Sequence, residues 1–157
     1  MSEFYKVNYD VAMLMDSGEA RIGVVIRNEN GEVMGSLAEK IAKPECVEVL
    51  EALVARRAIL FATELGLKWV IIEGDSEIVF KALSGVSPDR SCIGHIIKDY
   101  KSISGLFQAH SFSHTRQQGN TVAHALVKRA RKSFPLLVWM ESVPPDIAYL
   151  VHIDVIP

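Results

Sequence analysis

The chain reads as an α/β domain, a mixed five-stranded sheet with three antiparallel strands followed by two parallel ones, flanked by helices. Three observations predict it. The N-terminal part holds three strand-like runs separated by turn residues. A long amphipathic helix follows, and after it a short, nearly continuous apolar run of the kind found in buried parallel strands. Two more helices, a strand and a last helix complete the order βββαβααβα, in which helical crossovers bring the later strands back to the sheet.

Each element has its own signal. Tyr5 to Met15 mixes β-branched, aromatic and apolar residues and reads as a strand until Ser17-Gly18 breaks it. Ala20 to Arg27 is the second strand. Asn28-Glu29-Asn30-Gly31 contains Asn-Gly, a hairpin signal because both residues tolerate positive φ, and Glu32 to Ile41 returns as the third. Pro44 precedes a helix from about Glu45 to Leu65, with Val47, Leu50, Val54, Phe61 and Leu65 at helical spacing and Gly66 as its stop. Leu67 to Glu73 is the fourth strand. Ser76 to Leu83 is a short helix with Asp75 or Ser76 as its N-cap. A loop, Gly85 to Ser91, leads to a helix over Ile93 to Leu106. Gln108 to Ser113 is the fifth strand, His114 to Gly119 a polar loop, and Asn120 to Ser133 a basic last helix. Residues 1–133 therefore form the domain, and 134–157 an apolar tail, with Pro144-Pro145 in its middle, that packs on the domain or on a partner.

Composition narrows the classes. The 157 residues suit one domain, and 49 % hydrophobic content supplies a real core. A net charge of −2 argues against a strongly basic nucleic-acid-coating protein but leaves room for a local basic patch. Cys46 and Cys92 have no metal-ligand spacing and give no disulfide framework, so a reducing compartment is expected. The N-terminal Met-Ser-Glu-Phe-Tyr-Lys opens no apolar stretch of signal-peptide length, and no run approaches a membrane span, the run from Phe134 to Met140 being stopped by Glu141. The expectation is an intracellular protein, nuclear or cytoplasmic, with no membrane partner and an open oligomeric state.

Three acids stand where solubility does not explain them. Asp10 lies inside the opening strand, where aspartate is depleted. Glu51 shares a helix face with Ala55, Ala58 and Ala62, small residues that let a helix approach a sheet. Asp75 follows the buried fourth strand. Three converging carboxylates repel unless a cation sits between them or one is protonated. Each also has a plainer reading: Asp75 as a helix cap, Glu51 as a solvated helix residue, His114 and His124 as surface or capping histidines. Residue by residue, a metal site is possible and no more.

Taken in order, the segments Lys6-Val7-Asn8-Tyr9-Asp10, Ile22 to Arg27, Glu51-Ala52-Leu53-Val54-Ala55-Arg56, Glu64-Leu65-Gly66, Glu73-Gly74-Asp75-Ser76, Ser113-His114-Thr115-Arg116 and Asn120 to Leu126 resemble the ribonuclease H type 1 family. More narrowly they are similar to plant ribonuclease H-like domains related to those of non-LTR retrotransposons. Val138-Trp139-Met140-Glu141 with Pro144-Pro145 also looks like the end of those proteins. The resemblance implies a ribonuclease H-like fold and an endonuclease that hydrolyses the RNA strand of RNA–DNA hybrids with two Mg²⁺ or Mn²⁺ ions. It places metal ligands at Asp10, Glu51, Asp75 and His124, and a proton-handling histidine at His114. It implies nucleic-acid contacts at Asn120, Arg116, Ser76 and Arg129.

Two departures bear on activity. The fourth metal position of the family is usually aspartate and here is His124, a poorer partner for Mg²⁺ than for Mn²⁺. The residue after the first aspartate is usually glycine and here is Val11, which is expected to crowd the backbone near the metals. Arg90, Arg116, Lys128, Arg129, Arg131 and Lys132 are the candidates for phosphate contact. The alternative function is a catalytically weakened nucleic-acid-binding or protein-interaction module of the same fold. A 3′–5′ exonuclease of this fold is a lesser reading, since the spacing fits type 1 ribonuclease H better.

Overall fold

The computed structural model describes residues 4–13, 18–84, 92–114, 121–129 and 136–151. Their elements are β1 (Tyr5–Met13), β2 (Glu19–Arg27), β3 (Val33–Ala42), α1 (Val47–Glu64), β4 (Trp69–Gly74), α2 (Glu77–Leu83), α3 (Gly94–Ser104), β5 (Ala109–His114), α4 (Thr121–Arg129) and β6 (Leu136–Met140), followed by a single 3-10 turn, Pro145–Ile147. The sheet runs β5-β4-β1-β2-β3-β6. β1, β2 and β3 pair antiparallel, and β4 joins β1 and β5 in parallel.

The mixed sheet flanked by helices is as expected, but it has six strands rather than five. The sixth, β6, pairs antiparallel with β3 from Gly35↔Met140 to Glu39↔Leu136. Leu136-Leu137-Val138-Trp139-Met140 has no polar residue to mark an alternation, so it reads in sequence as an apolar tail. In the fold it does alternate. Trp139 packs on the core, while Leu136, Val138 and Met140 stay exposed on the other face.

Each face of the sheet carries its own core. On one face the alternate residues Val7, Tyr9, Val24, Ile26, Leu37 and Ile72 meet α1 through Leu50, Val54, Ala58 and Ala62 and α3 through Ile96 and Tyr100. On the other, Val25 and Ala38 meet Val122, Ala123 and Leu126 of α4, and Val143 closes over them. Helix ends follow the local chemistry. Ser76 Oγ accepts from the Val79 N–H at 3.2 Å and caps α2. Gly66, at φ 75°, takes the left-handed conformation that stops α1.

Successive strand residues point to opposite faces, so Val11 turns away from the side of Asp10 to the α1 side of the sheet, where it packs partly buried against the core.

Candidate active site

β1 and β4 pair only from Tyr5↔Val70 to Asn8↔Glu73. Asn8 Nδ2 donates to Glu73 Oε1 at 2.8 Å across that last rung. β1 then continues against β2 alone, and β4 ends at Gly74. Strands that part at their C-terminal ends open the crevice in which α/β sheets gather ligands. Carrying the register onward sets Asp10 opposite Asp75.

Two glycines fix the walls. Asp10 pairs with Gly23, where a Cβ would come 2.5 Å from the Ala123 carbonyl oxygen. Only glycine lets α4 lie this close to the sheet, and that closeness brings His124 to Asp10. Gly74 is needed for a different reason, since a Cβ there would collide with Tyr9 Oη. The Tyr9 phenol is raised well above its ordinary range by burial first, then by Glu51, Tyr100 and Asp75, so it stays neutral beneath the crevice.

Asp10 is 7 % exposed, and its Oδ2 lies 2.8 Å from His124 Nδ1. With Asp10 as the acceptor, it is Nδ1 of His124 that carries the hydrogen of this bond. Glu51 arrives from α1, on the opposite face, beside the buried Ala52 and Ala55. Its Oε2 is buried and has no hydrogen-bond partner among the described residues. Its carboxyl is pushed up to about 7, first by burial and then by the negative charges of Asp75 and Asp10. Asp75 is also raised, by burial and then by Asp10, against the lowering pull of a backbone hydrogen bond and of His114. The three acids therefore feel one another across the crevice. Ser76 holds the cap of α2, which leaves the Asp75 carboxylate out of that role.

His114 is the last residue of β5, paired with Gly74, rather than the first of a loop. Its Nε2 donates to the Asp75 carbonyl oxygen at 3.0 Å, and its ring lies 6.1 Å from that of Phe80. Nδ1 is left as its proton-exchanging nitrogen. Asp10, Glu51, Asp75, Ser76, His114 and His124 thus meet at one end of the sheet. Asn120 and Arg116 lie outside the described residues, as does the side chain of Arg129. Tyr9, Gly23 and Gly74 were not anticipated. Their sequence signal was available only in part, as glycines within strands, which mark close approach.

Among the described residues no three Asp, Glu, His or Cys side chains close around one point as a formed metal shell does. The donor chemistry nevertheless suits a hard divalent cation. The candidate donors are carboxylate oxygens, one of them is buried with no hydrogen-bond partner among the described residues, and their repulsion is what a cation relieves.

Residues 8–130 match the model of a protein family described as reverse transcriptase-like. The chain belongs to this family. No curated protein matches it. Among solved structures it is similar to RNase H1 from the halophilic archaeon Halobacterium salinarum, at 21 % identity and a TM-score of 0.75, covering 81 % of this chain and 96 % of that one. An N-terminal RNase H domain from Mycobacterium tuberculosis matches at 18 % identity and a TM-score of 0.72, over 82 % and 94 % of the two chains. LC11-RNase H1, solved in complex with an RNA/DNA hybrid, matches at 21 % identity and a TM-score of 0.70, over 80 % and 94 %. At these identities the likeness is one of fold, and the fold is that of ribonuclease H. Among the described residues no helix is long and apolar enough to cross a membrane.

Proposed function

We propose that the chain hydrolyses the RNA strand of RNA–DNA hybrids at the crevice between β1 and β4. The convergence of Asp10, Glu51 and Asp75 carries this reading, above all the Glu51 carboxyl raised to about 7 by burial and then by the charges of Asp75 and Asp10. Asp10, Glu51 and Asp75 would hold divalent cations, with His124, beside Asp10, as the proposed fourth ligand. Bound there, Mg²⁺ or Mn²⁺ supplies charge neutralisation at the scissile phosphate and activation of the attacking water. Asp10 would be the central donor of the set, since it lies close enough to Asp75 to raise that carboxyl and 2.8 Å from His124 Nδ1. His114, anchored on the Asp75 carbonyl, keeps Nδ1 to pass a proton to or from the reacting oxygens. Ser76, Arg116, Asn120 and Arg129 are proposed to touch the hybrid's backbone, read by shape and 2′-hydroxyls rather than by sequence.

The family similarity to plant retrotransposon-related domains belongs to the same proposal, as does the division into a domain at 1–133 and a tail at 134–157. So do a nuclear or cytoplasmic site of action and the choice between Mg²⁺ and Mn²⁺. A second reading, a binding module without catalysis, is favoured by one observation. His124 already satisfies Asp10 at 2.8 Å, and when protonated it offers a positive charge without any metal. Incubation of purified protein with a hybrid labelled on the RNA strand, in Mg²⁺ and separately in Mn²⁺, decides between them. Cutting that Asp75→Asn abolishes supports the enzyme. Hybrid binding without cutting in either ion supports the module.

A further inference from the structure

A second hollow opens on the outer side of α4. It holds about 440 Å³ and is walled by Thr121, His124 and Lys128 on the helix and by Asp146, Tyr149 and Leu150 of the C-terminal segment. Positions 121, 124 and 128 recur at helical spacing, so they share one face. His124 is common to both places: its Nδ1 meets Asp10, and its ring lines this hollow. The pocket therefore adjoins the crevice.

We infer that this pocket takes one single-stranded nucleotide of the substrate, next to the duplex held at the crevice, with its phosphate on Lys128 and its base on Tyr149. The inference rests on the hybrid-cleaving reading above. Tyr149 is 63 % exposed, an aromatic face turned to water, and such faces stack bases without regard to sequence. Lys128 is exposed and has no ion pair with a described residue. The volume is in the range of a small-ligand site. Lys128 draws the phosphate to the helix side of the pocket. A base inside a duplex has both faces covered by its neighbours, so only an unpaired nucleotide can stack on Tyr149.

The test compares a blunt RNA–DNA hybrid with the same hybrid carrying a short single-stranded RNA extension. Affinity is read by fluorescence anisotropy in Mg²⁺, with Asp75→Asn in every protein so that neither probe is cut. The expected result is tighter binding of the extended probe by about tenfold, lost in Tyr149→Ala with blunt-hybrid affinity changed less than about twofold by that substitution, while Lys128→Ala weakens the extended probe more than the blunt one. Lys128→Ala should also flatten the salt dependence of extended-probe binding by about 0.7 in log–log slope. Equal affinity for blunt and extended probes, or an advantage that survives both substitutions, overturns the pocket's role and leaves the hybrid reading standing. No binding of either probe by a folded protein overturns both.

Discussion

Replacing Glu51 with glutamine should stabilise the metal-free protein at alkaline pH. Burial and the charges of Asp75 and Asp10 hold the Glu51 carboxyl near 7, against an ordinary value of 4.5. In the pH interval between those values the folded state binds more protons than the unfolded one, so stability falls as pH rises. Below it both states are protonated and the group contributes nothing; above it the full penalty applies. The two pKa values correspond to about 3 kcal/mol as a ceiling. Glu51 is only partly buried and water screens it, so about 2 kcal/mol is the reasonable share. Glutamine keeps the shape and removes the charge. In EDTA at about pH 8 the variant should melt about 3–8 °C above the parent, and at about pH 4 the two should coincide. Scanning calorimetry at the two pH values reads this directly. A variant no more stable than the parent at the higher pH, or equally favoured at both, would refute the claim that three carboxylates strain one another in the crevice. Excess Mg²⁺ or Mn²⁺ should then raise the parent's midpoint more than the variant's, because the variant lacks one of the three carboxylates whose repulsion the cation relieves.

Other substitutions probe single parts of the account. Asp10→Asn or Asp75→Asn should lower hybrid cleavage by about 10²-fold or more, with an unchanged circular dichroism spectrum. His124→Asp should raise the ratio of Mg²⁺- to Mn²⁺-supported cleavage, since carboxylate oxygen suits Mg²⁺ better than imidazole does; an unchanged ratio would remove His124 from the metal set. Gly74→Ala should cost about 1–3 kcal/mol in urea denaturation because the new methyl collides with Tyr9 Oη, and Tyr9→Phe in the same chain should recover part of that loss. No recovery in the double variant would show that the clash lies elsewhere.

The strands, helices and their order were legible because each carries a local cause: Asn30-Gly31 at a hairpin, with Gly31 at φ 82°, apolar spacing along α1, and the Val70-Ile71-Ile72 run of β4. β6 escaped because its apolar residues on both faces conceal the alternation, and only pairing with β3 reveals a strand. Asp10, Glu51 and Asp75 stood out by residue type against local environment. Their mutual effect did not, since it depends on where β1 and β4 part, a property of pairing rather than of either segment. The bond between His124 and Asp10 spans 114 positions in sequence and exists because Gly23 admits α4. The choice of Ser76 over Asp75 as the α2 cap likewise needed geometry, because both residue types cap helices well.

In the proposed enzyme Asp10, Glu51 and Asp75 hold a divalent cation, and anomalous diffraction from crystals grown with Mn²⁺ locates it. A peak is expected in the crevice within coordination distance of the Asp10 and Asp75 carboxylates, absent from Asp10→Asn crystals. A well-ordered crevice with no peak would rule the cation site out.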